Sequence, residues 1–422
     1  MGSPYPIGKT FSISSVSLLE HTFKTFCNKL IVRLIIYTGK GGTGKTVNSC
    51  STAIKLADLN HKTLIISSDP AHTLEDAFVV SAVGNKPIKV LDGLYALQVD
   101  PVLELAENYG SILSYVASIF SRRGLDETLS YEIAMLPGMT QLFSLLRIEE
   151  FIRHDKFDCI VLDMPASGEA LRYLYFPKLV GNIGEKLLGF TGVFSGFAKM
   201  FQPFSSFAQI PPDVIQVEIN LLKRLELLSK IIIDPKITSL RLIVNPDTFS
   251  IENAKRALMS ANLYGINVDV VIINKIFPSD VPNSYFTRWI EYQSRKIQEA
   301  KTSFYPLHII EERFYEKELK GIEMLRENAE AIFDNEDPSR VFYSDKVFEF
   351  VKSGSTLILR LKAPFTNKDN FEINRYGDNL AIKVLGATGY IVNVIPLPVA
   401  TITMKLFGVK IHEGIIEVTF KE

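Results

Sequence analysis

A single glycine-rich loop constrains this 422-residue chain more than any other feature. Residues 39–46 read Gly-Lys-Gly-Gly-Thr-Gly-Lys-Thr, which satisfies the pattern G-x-x-x-x-G-K-[ST]. An apolar run at residues 31–37 precedes the loop and a helical pattern at residues 48–59 follows it, so the pattern has the strand-loop-helix context that it requires. The glycines let backbone N–H groups turn inward around phosphate oxygens, and the helix amino terminus adds its positive dipole end. The sequence therefore predicts a nucleoside triphosphate site.

The loop also predicts a role for its side chains. Lys45 is expected to hold the β- and γ-phosphates of ATP, and the Thr46 hydroxyl is expected to ligate Mg²⁺. ATP and Mg²⁺ are thus the predicted cofactors. The predicted nucleotide contacts of the loop are Gly39, Gly41, Gly42, Thr43, Gly44, Lys45, Thr46 and Val47.

Short apolar runs recur along the chain, and stretches of helical periodicity separate them. The runs lie at residues 63–68, 94–99, 157–162, 240–245 and 268–274. Continuous apolar strands that alternate with helices are typical of a mostly parallel sheet covered on both faces. The predicted fold class is α/β, a P-loop NTPase fold with a mostly parallel sheet flanked by helices.

The pattern changes after a charged helix predicted at residues 316–331. An acidic stretch at residues 334–338 ends in a proline and predicts a domain boundary. Beyond it only strands are predicted, at residues 347–352, 356–361, 379–385, 390–395 and 415–420. They indicate a small antiparallel β-sandwich. The predicted organisation is an extension at 1–30, an ATPase unit at 31–333, a linker at 334–345 and a β-sandwich at 346–422.

Composition argues against several classes of protein. Lys and Arg number 46 against 47 Asp and Glu, so the formal net charge is −1 and no nucleic-acid partner is expected. The three cysteines, Cys27, Cys50 and Cys159, form no C-x-x-C pair, which argues against a disulfide scaffold and a cysteine-rich zinc site. No uncharged apolar run reaches the roughly 18 to 20 residues that span a bilayer. These features favour a cytoplasmic protein.

Two acidic residues close predicted strands. Ligands of open α/β sheets bind at the carboxyl ends of the strands, where Asp69 and Asp163 both lie. A carboxylate at Asp69 can orient or deprotonate the attacking water. An aspartate in the place of Asp163 usually holds Mg²⁺, often through water. We therefore predict a magnesium site at Thr46 and Asp163, and Asp69 is a candidate for acting on the attacking water.

A second loop lysine, Lys40, narrows the class. The pattern G-K-G-G-x-G-K-[ST] resembles the deviant Walker A ATPases, which include partitioning, division-site, nitrogenase-iron and arsenite-pump ATPases. In that class the extra lysine reaches the nucleotide of the partner subunit. The resemblance therefore implies a homodimer with ATP at the interface and a catalytic role for Lys40 beside Lys45 and Asp69.

Further motifs resemble the arsenite-pump (ArsA) and tail-anchored-protein targeting (Get) ATPases. Residues 69–78 match the family's switch I, D-P-A-H-[ST]-L-x-D-A-F, in which the first Asp activates water. Residues 163–172 resemble switch II, although Pro165 comes one position early and Glu169 replaces a histidine. The resemblance further implies that Asn274 reads adenine and that Pro306 flanks the base.

Phenylalanines follow switch II at helical spacing. Phe190, Phe194, Phe197, Phe201 and Phe204 form a stripe that glycines interrupt. Targeting members of the family place their client groove at this point, so the resemblance implies a helical client-binding subdomain at about residues 105–150 and 178–232. The implied partners are hydrophobic, tail-anchored or other membrane-protein clients and a membrane receptor, with the protein transiently at the membrane. Ordinary core packing is the alternative interpretation of the stripe.

Two other functions stay open. An arsenite-pump ATPase would need clustered thiolates, and the cysteines are not placed for such a cluster. A positioning ATPase of the division-site type would need an amphipathic membrane-binding tail, for which the strand-rich C-terminus gives no support.

Zinc is not expected, because the C-x-x-C of zinc-paired family members is missing after Asn274. Residues 395–398 and 410–418 resemble the closing strands of an α-crystallin domain.

Overall fold

The computed structural model describes residues 32–69, 73–81, 83–110, 136, 138–165, 170–187, 212–279, 284–386 and 389–422. An eight-stranded sheet forms the centre, in the order β3-β4-β2-β5-β1-β6-β7-β8. Only β3 runs antiparallel to its neighbour; the other pairs are parallel. Its strands are β1 Arg33–Gly39, β2 Thr63–Ser67, β3 Ile88–Leu91, β4 Leu94–Gln98, β5 Cys159–Asp163, β6 Thr238–Val244, β7 Val268–Ile276 and β8 His308–Arg313.

Helices cover both faces of this sheet. They are α1 Lys45–Asp58, α2 Thr73–Phe78, α3 Pro101–Asn108, α4 Met139–Arg153, α5 Ala170–Leu187, α6 Pro212–Ile233, α7 Thr248–Tyr264, α8 Ser284–Phe304 and α9 Ile322–Phe333. Successive strand residues point to opposite faces, so Leu34 and Ile36 of β1 join one apolar cluster while Ile35 and Tyr37 join the other. The predicted α/β fold with a mostly parallel sheet is confirmed.

The C-terminal residues form two small antiparallel sheets, here called the β module (residues 346–422). One sheet has the order β14-β15-β10-β9 and the other β11-β12-β13. The strands are β9 Phe348–Ser353, β10 Thr356–Lys362, β11 Phe371–Tyr376, β12 Asn379–Gly386, β13 Gly389–Pro396, β14 Lys405–His412 and β15 Ile415–Lys421. Alternate residues of both sheets, such as Leu359, Ile382 and Val418, are buried in one core. The predicted all-β C-terminus is confirmed.

The β module packs on the helices that follow switch II. The Tyr175 hydroxyl of α5 donates to Asn393 Oδ1 at 3.1 Å and accepts from the Val394 backbone N–H at 3.0 Å. Asn393 Nδ2 also donates to the carbonyl of Leu263 at the end of α7. The Tyr175 ring stacks on Tyr264 with a centroid distance of 4.4 Å. Buried hydrogen bonds thus join α5, α7 and β13.

Residues 334–345, predicted to be a linker, are bonded to the amino edge of the central sheet. Arg241 of β6 is fully buried, donates to the Pro338 carbonyl at 2.6 Å and pairs with Asp269 at 3.4 Å. Arg33 of β1 donates to the Ser339 carbonyl at 2.7 Å. The segment therefore forms a docked strap between the two parts of the chain.

Several boundaries differ from those predicted. The last helix begins at Ile322, because residues 314–319 after β8 run along the nucleotide cleft instead of turning into a helix. Strands β3, β8, β11 and β14 were not predicted, because their exposed polar residues interrupt the apolar runs by which strands are recognised. No helix among the described residues is long and apolar enough to cross a membrane.

Candidate nucleotide-binding site

The glycine-rich loop joins β1 to α1 and has the backbone shape that the pattern predicts. Gly42 and Gly44 have φ values of 75° and 97°, a region that residues with a side chain rarely adopt. A Cβ atom at Gly44 would lie 2.2 Å from Asn274 Nδ2, and one at Gly39 would lie 2.4 Å from the Ile243 carbonyl oxygen. Glycine at these two positions lets the loop approach β6 and β7. Helix α1 then begins at Lys45 and directs its amino terminus at the cleft.

The predicted catalytic cation and carboxylates meet at the carboxyl ends of β2 and β5. Lys45 is buried, and its Nζ donates to the Lys40 carbonyl at 3.4 Å. Burial lowers the pKa of Lys45, and the carboxylates of Asp163 and Asp69 partly oppose that shift. Asp69 ends the segment after β2, where Gln98 Nε2 donates to its carbonyl at 2.8 Å. The structure therefore brings Lys45, Asp69 and Asp163 together.

The residues predicted to hold Mg²⁺ fit that ion. The Thr46 hydroxyl donates to Asp163 Oδ2 at 2.7 Å, and Asp163 Oδ1 is buried without a hydrogen-bond partner among the described residues. Burial raises the pKa of Asp163 to about 6, against the hydrogen bond from Thr46 and the charge of Lys45. A hydroxyl and a carboxylate are the hard oxygen donors that Mg²⁺ prefers. Thr46 and Asp163 would hold the ion, which neutralises charge on the transferred phosphoryl group.

Asn274 lies in the site, at the end of β7. Its Nδ2 donates to the Thr43 carbonyl at 2.8 Å, and its Oδ1 accepts from the Lys275 backbone N–H at 2.6 Å. Lys275 Nζ donates to the Gly42 carbonyl at 2.8 Å. Both side chains therefore tie β7 to the loop in this conformation, and an adenine contact by Asn274 stays a prediction.

An open cleft of about 1500 Å³ runs from the loop past the ends of β7 and β8. Of the predicted site residues, Gly41, Gly42, Gly44, Lys45, Thr46, Val47, Asp69 and Asn274 line it. Gly39 and Thr43 of the loop are buried and do not line the cleft. The far end of the cleft is aromatic: the Phe277 ring lies 5.5 Å from the rings of Phe286 and Phe314. Such a surface can stack on a base.

Pro306 does not reach the cleft. It precedes β8, whose first residue, His308, pairs with Val270 near the start of β7. Because β7 and β8 run parallel, Pro306 lies at the amino edge of the sheet, opposite the loop. This placement contradicts the prediction that Pro306 flanks the base. Phe314, just after β8, lines the cleft instead.

Lys40 is exposed, and its Nζ lies 5.5 Å from the centroid of the exposed Phe249 ring at the start of α7. Lys40 is not among the residues that line this chain's own cleft. A role in a partner's site therefore stays a prediction.

Other predicted features lie outside the described residues. They are the phenylalanine stripe Phe190, Phe194, Phe197, Phe201 and Phe204, switch II residues 166–169, and Cys27.

The fold and site together define a P-loop ATPase. The family model described as anion-transporting ATPase (ArsA_ATPase) matches residues 32–334. The chain belongs to this family.

Relatives extend that finding. The "Putative arsenical pump-driving ATPase" of Chlorobaculum tepidum is 33% identical over 377 residues, which cover 87% of this chain and 91% of the relative. "Putative arsenical pump-driving ATPase 1" of Aquifex aeolicus is 29% identical, with shares of 84% and 92%. The "ATPase ASNA1 homolog" of Dictyostelium discoideum is 24% identical, with shares of 76% and 95%. Residues 1–334 make up less than 84% of the 422 residues, so the similarity to the first two relatives extends into the β module.

Proposed function

We propose that the protein is an ATP-hydrolysing homodimeric chaperone or targeting factor for hydrophobic membrane-protein clients. Exposed apolar side chains on the helical layer carry this proposal. Leu103 of α3, Phe176 and Leu179 of α5, and Ile215 of α6 are between 38% and 46% exposed. Helices α5 and α6 pack closely together, and α4 packs on α6 and α3. Large apolar side chains left in water on one helical layer suit a surface for an apolar segment.

Driving an arsenite pump is the second candidate function, and the names of two bacterial relatives favour it. The described cysteines argue against it. Cys50 and Cys159 are both buried, and burial raises the pKa of Cys50 well above its ordinary value and that of Cys159 to about 12. Thiolates, rather than thiols, bind soft metalloids. We therefore place the hydrophobic-client function first.

In the proposed mechanism, ATP closes the homodimer with Lys40 acting on the partner's nucleotide, and hydrolysis assisted by Asp69 reopens it. A chain of side chains would carry this change to the β module. The Arg172 side chain of switch II hydrogen-bonds Tyr264, which stacks on Tyr175, which bonds Asn393. The β module, for which we keep the α-crystallin-like interpretation, would then move with α5.

The proposed client surface is tested by co-purification with a single-transmembrane-helix substrate under ATP and under ADP. Capture should depend on the nucleotide and fall at least about tenfold in Phe176→Asp, because a buried unpaired carboxylate costs far more than one factor of ten in affinity. The predicted stripe is tested with Phe194→Asp/Phe201→Asp.

Phe407→Asp is the matched control, because Phe407 is 67% exposed but lies on β14 of the β module. It should capture substrate like the wild type. Absence of capture in every nucleotide state would reject the client function. Turnover stimulated by arsenite in the same preparation would establish the second candidate in its place.

The link between α5 and the β module gives a separate prediction. Tyr175→Phe should reduce stability by about 1–3 kcal/mol, since Asn393 and Val394 lose a buried partner. It should also remove the difference in β13 amide exchange between the ATP and ADP states, measured by hydrogen–deuterium exchange. Tyr376→Phe, at a residue 61% exposed on β11, is the control. If β13 amide exchange in Tyr175→Phe still differed between the ATP and ADP states, the conformational change would reach the β module through other contacts.

A further inference from the structure

A buried carboxyl group that the ATPase chemistry above does not use lies beside the phosphate loop. Glu312 of β8 is 2% exposed and lines the deep side of the nucleotide cleft. Asn48 Nδ2, on the first turn of α1, donates to Glu312 Oε2 at 2.9 Å and to the Gly44 carbonyl at 3.1 Å. Asn328 of α9 completes the cluster and donates to Ser51 Oγ at 3.2 Å. The cluster therefore joins β8, α1 and α9 to the loop residue Gly44.

This cluster has more acceptors than donors. Glu312 Oε1, Asn48 Oδ1 and Asn328 Oδ1 are all buried, and none makes a hydrogen bond of normal geometry with the described residues. The Asn328 amide nevertheless lies close enough to the Glu312 carboxyl to lower its pKa. Buried polar atoms in native proteins are normally paired, because an unpaired one loses its hydration without compensation. A carboxyl group that holds a proton gains the donor that this cluster lacks.

We propose that Glu312 is a positioning residue of the ATP site: it carries a proton in the nucleotide-binding form and holds the phosphate loop in shape through Asn48. The proton comes from solvent, and the interaction that reaches the loop is the Asn48 hydrogen bond to the Gly44 carbonyl. Gly44 has the left-handed backbone that starts α1, so a shift of Asn48 would alter the loop at the phosphate positions.

The surroundings of Glu312 favour its protonated carboxyl near neutral pH. Burial raises the pKa of Glu312 to about 7, and the amides of Asn48 and Asn328 and the charge of Lys275 oppose this only in part. Tyr315, which also faces Glu312, stays neutral near pH 7, because burial raises its pKa further above that range. Other charged side chains of the packed elements have partners elsewhere. Lys45 faces Asp163 and Asp69, Lys55 pairs with Glu330, Arg326 with Asp58, Arg313 with Glu327, and Glu311 with Lys301.

Loss of the proton should weaken nucleotide binding. It leaves a buried negative charge beside a loop that receives negatively charged phosphates, and it removes the donor from the cluster. The affinity for nucleotide should therefore fall as the pH rises through about 7.

The test measures the dissociation constant of Mg–ADP, by titration calorimetry, from pH 6 to 8.5 in the full-length protein. For the wild type we expect this constant to rise about three- to tenfold, the size of one charge interacting across several ångströms of protein. Glu312→Gln keeps a donor without a charge, so it should bind as the wild type does at pH 6 and change less than about twofold over the range.

Asp58→Asn is the matched control. It removes a carboxylate from the other end of α1, the helix that carries Asn48, but Asp58 is exposed, pairs with Arg326 at 2.7 Å and does not line the cleft. It should keep the wild-type pH dependence. Titration of the nucleotide and of Asp163 is common to all three proteins and cancels in the comparison.

A wild-type pH dependence in Glu312→Gln would overturn the proposal, and so would weak binding by this variant at every pH. Should Glu312→Gln not fold, Asn328→Ala replaces it as the test. The Asn328 amide favours the ionised carboxyl, so its removal should move the midpoint of the pH dependence to higher pH. An unchanged midpoint would equally overturn the proposal. Loss of client capture would leave this test unaffected, since it rests on the ATPase alone.

Discussion

Asp69→Asn is expected to lower the rate of ATP hydrolysis by about 10²- to 10⁴-fold, the usual contribution of a positioned general base. The asparagine amide has no basic oxygen with which to accept a proton from water. Mg–ATP binding should persist, because Lys45 and the loop remain. The surrounding segment is held by backbone contacts that the substitution keeps, from Gln98 to the Asp69 carbonyl and from Gln141 to the Ser68 carbonyl at 3.1 Å. Phosphate release and equilibrium nucleotide binding should be measured on the same sample.

Asp76→Asn serves as the control for this substitution. Asp76 belongs to the same switch I string but is exposed in the first turn of α2, and its variant should hydrolyse ATP at the wild-type rate. Lys45→Ala should abolish turnover by a different route, since it removes the cation that meets the phosphates. Undiminished hydrolysis by Asp69→Asn would remove the water-activating role from that residue.

Arg241→Met should be the most destabilising single substitution that we predict, with a loss of about 3–5 kcal/mol in the free energy of unfolding of the ATPase unit. Arg241 and Asp269 are both fully buried, so the variant leaves a carboxylate without its cation. It also removes the donor to the Pro338 carbonyl and the guanidinium that lies over the rings of Tyr37, Phe333 and Phe342. Urea-induced unfolding, monitored separately for the ATPase unit and the β module, measures the loss.

Two comparisons identify the cause of that loss. Arg241→Met/Asp269→Leu removes both charges and should recover most of the stability, because a buried ion pair is often replaceable by apolar residues. Arg313→Met breaks an exposed pair with Glu327, 2.8 Å apart, and should cost less than about 1 kcal/mol. Equal losses in Arg241→Met and the double variant would show that the hydrogen bond to Pro338, rather than the unpaired carboxylate, is responsible.

The phosphate loop, the α/β fold and the meeting of Asp69 with Asp163 could be predicted because short-range patterns specify them. A glycine pattern determines its own backbone, and parallel strands bring their carboxyl ends to one edge. The position of Pro306 could not be predicted in this way. A Pro-Leu pair beside a strand does not reveal whether the strand runs toward or away from the loop, and β8 was not recognised as a strand.

Glu312 was missed for a related reason. In the string Glu311-Glu312-Arg313 nothing separates the buried acid from its exposed neighbours, since only the pairing of β8 with β7 decides which face each residue takes. Asn48 was likewise unremarkable within a helical pattern. The one available signal is that neighbouring residues of a strand point to opposite faces. That signal identifies the buried acid only when the pairing of β8 with β7 is already known.

The strap at the amino edge of the sheet places the C-terminal limit of the folded ATPase unit beyond the family boundary. The family model stops at residue 334, yet the carbonyls that accept hydrogen bonds from the Arg241 and Arg33 guanidinium groups belong to Pro338 and Ser339. A chain cut at the family boundary would keep two guanidinium groups at the sheet edge and lose acceptors for both. The unit that the family model matches is therefore shorter than the unit that folds, and a fragment for biophysical work should extend at least through Phe342, whose ring also lies over Arg241.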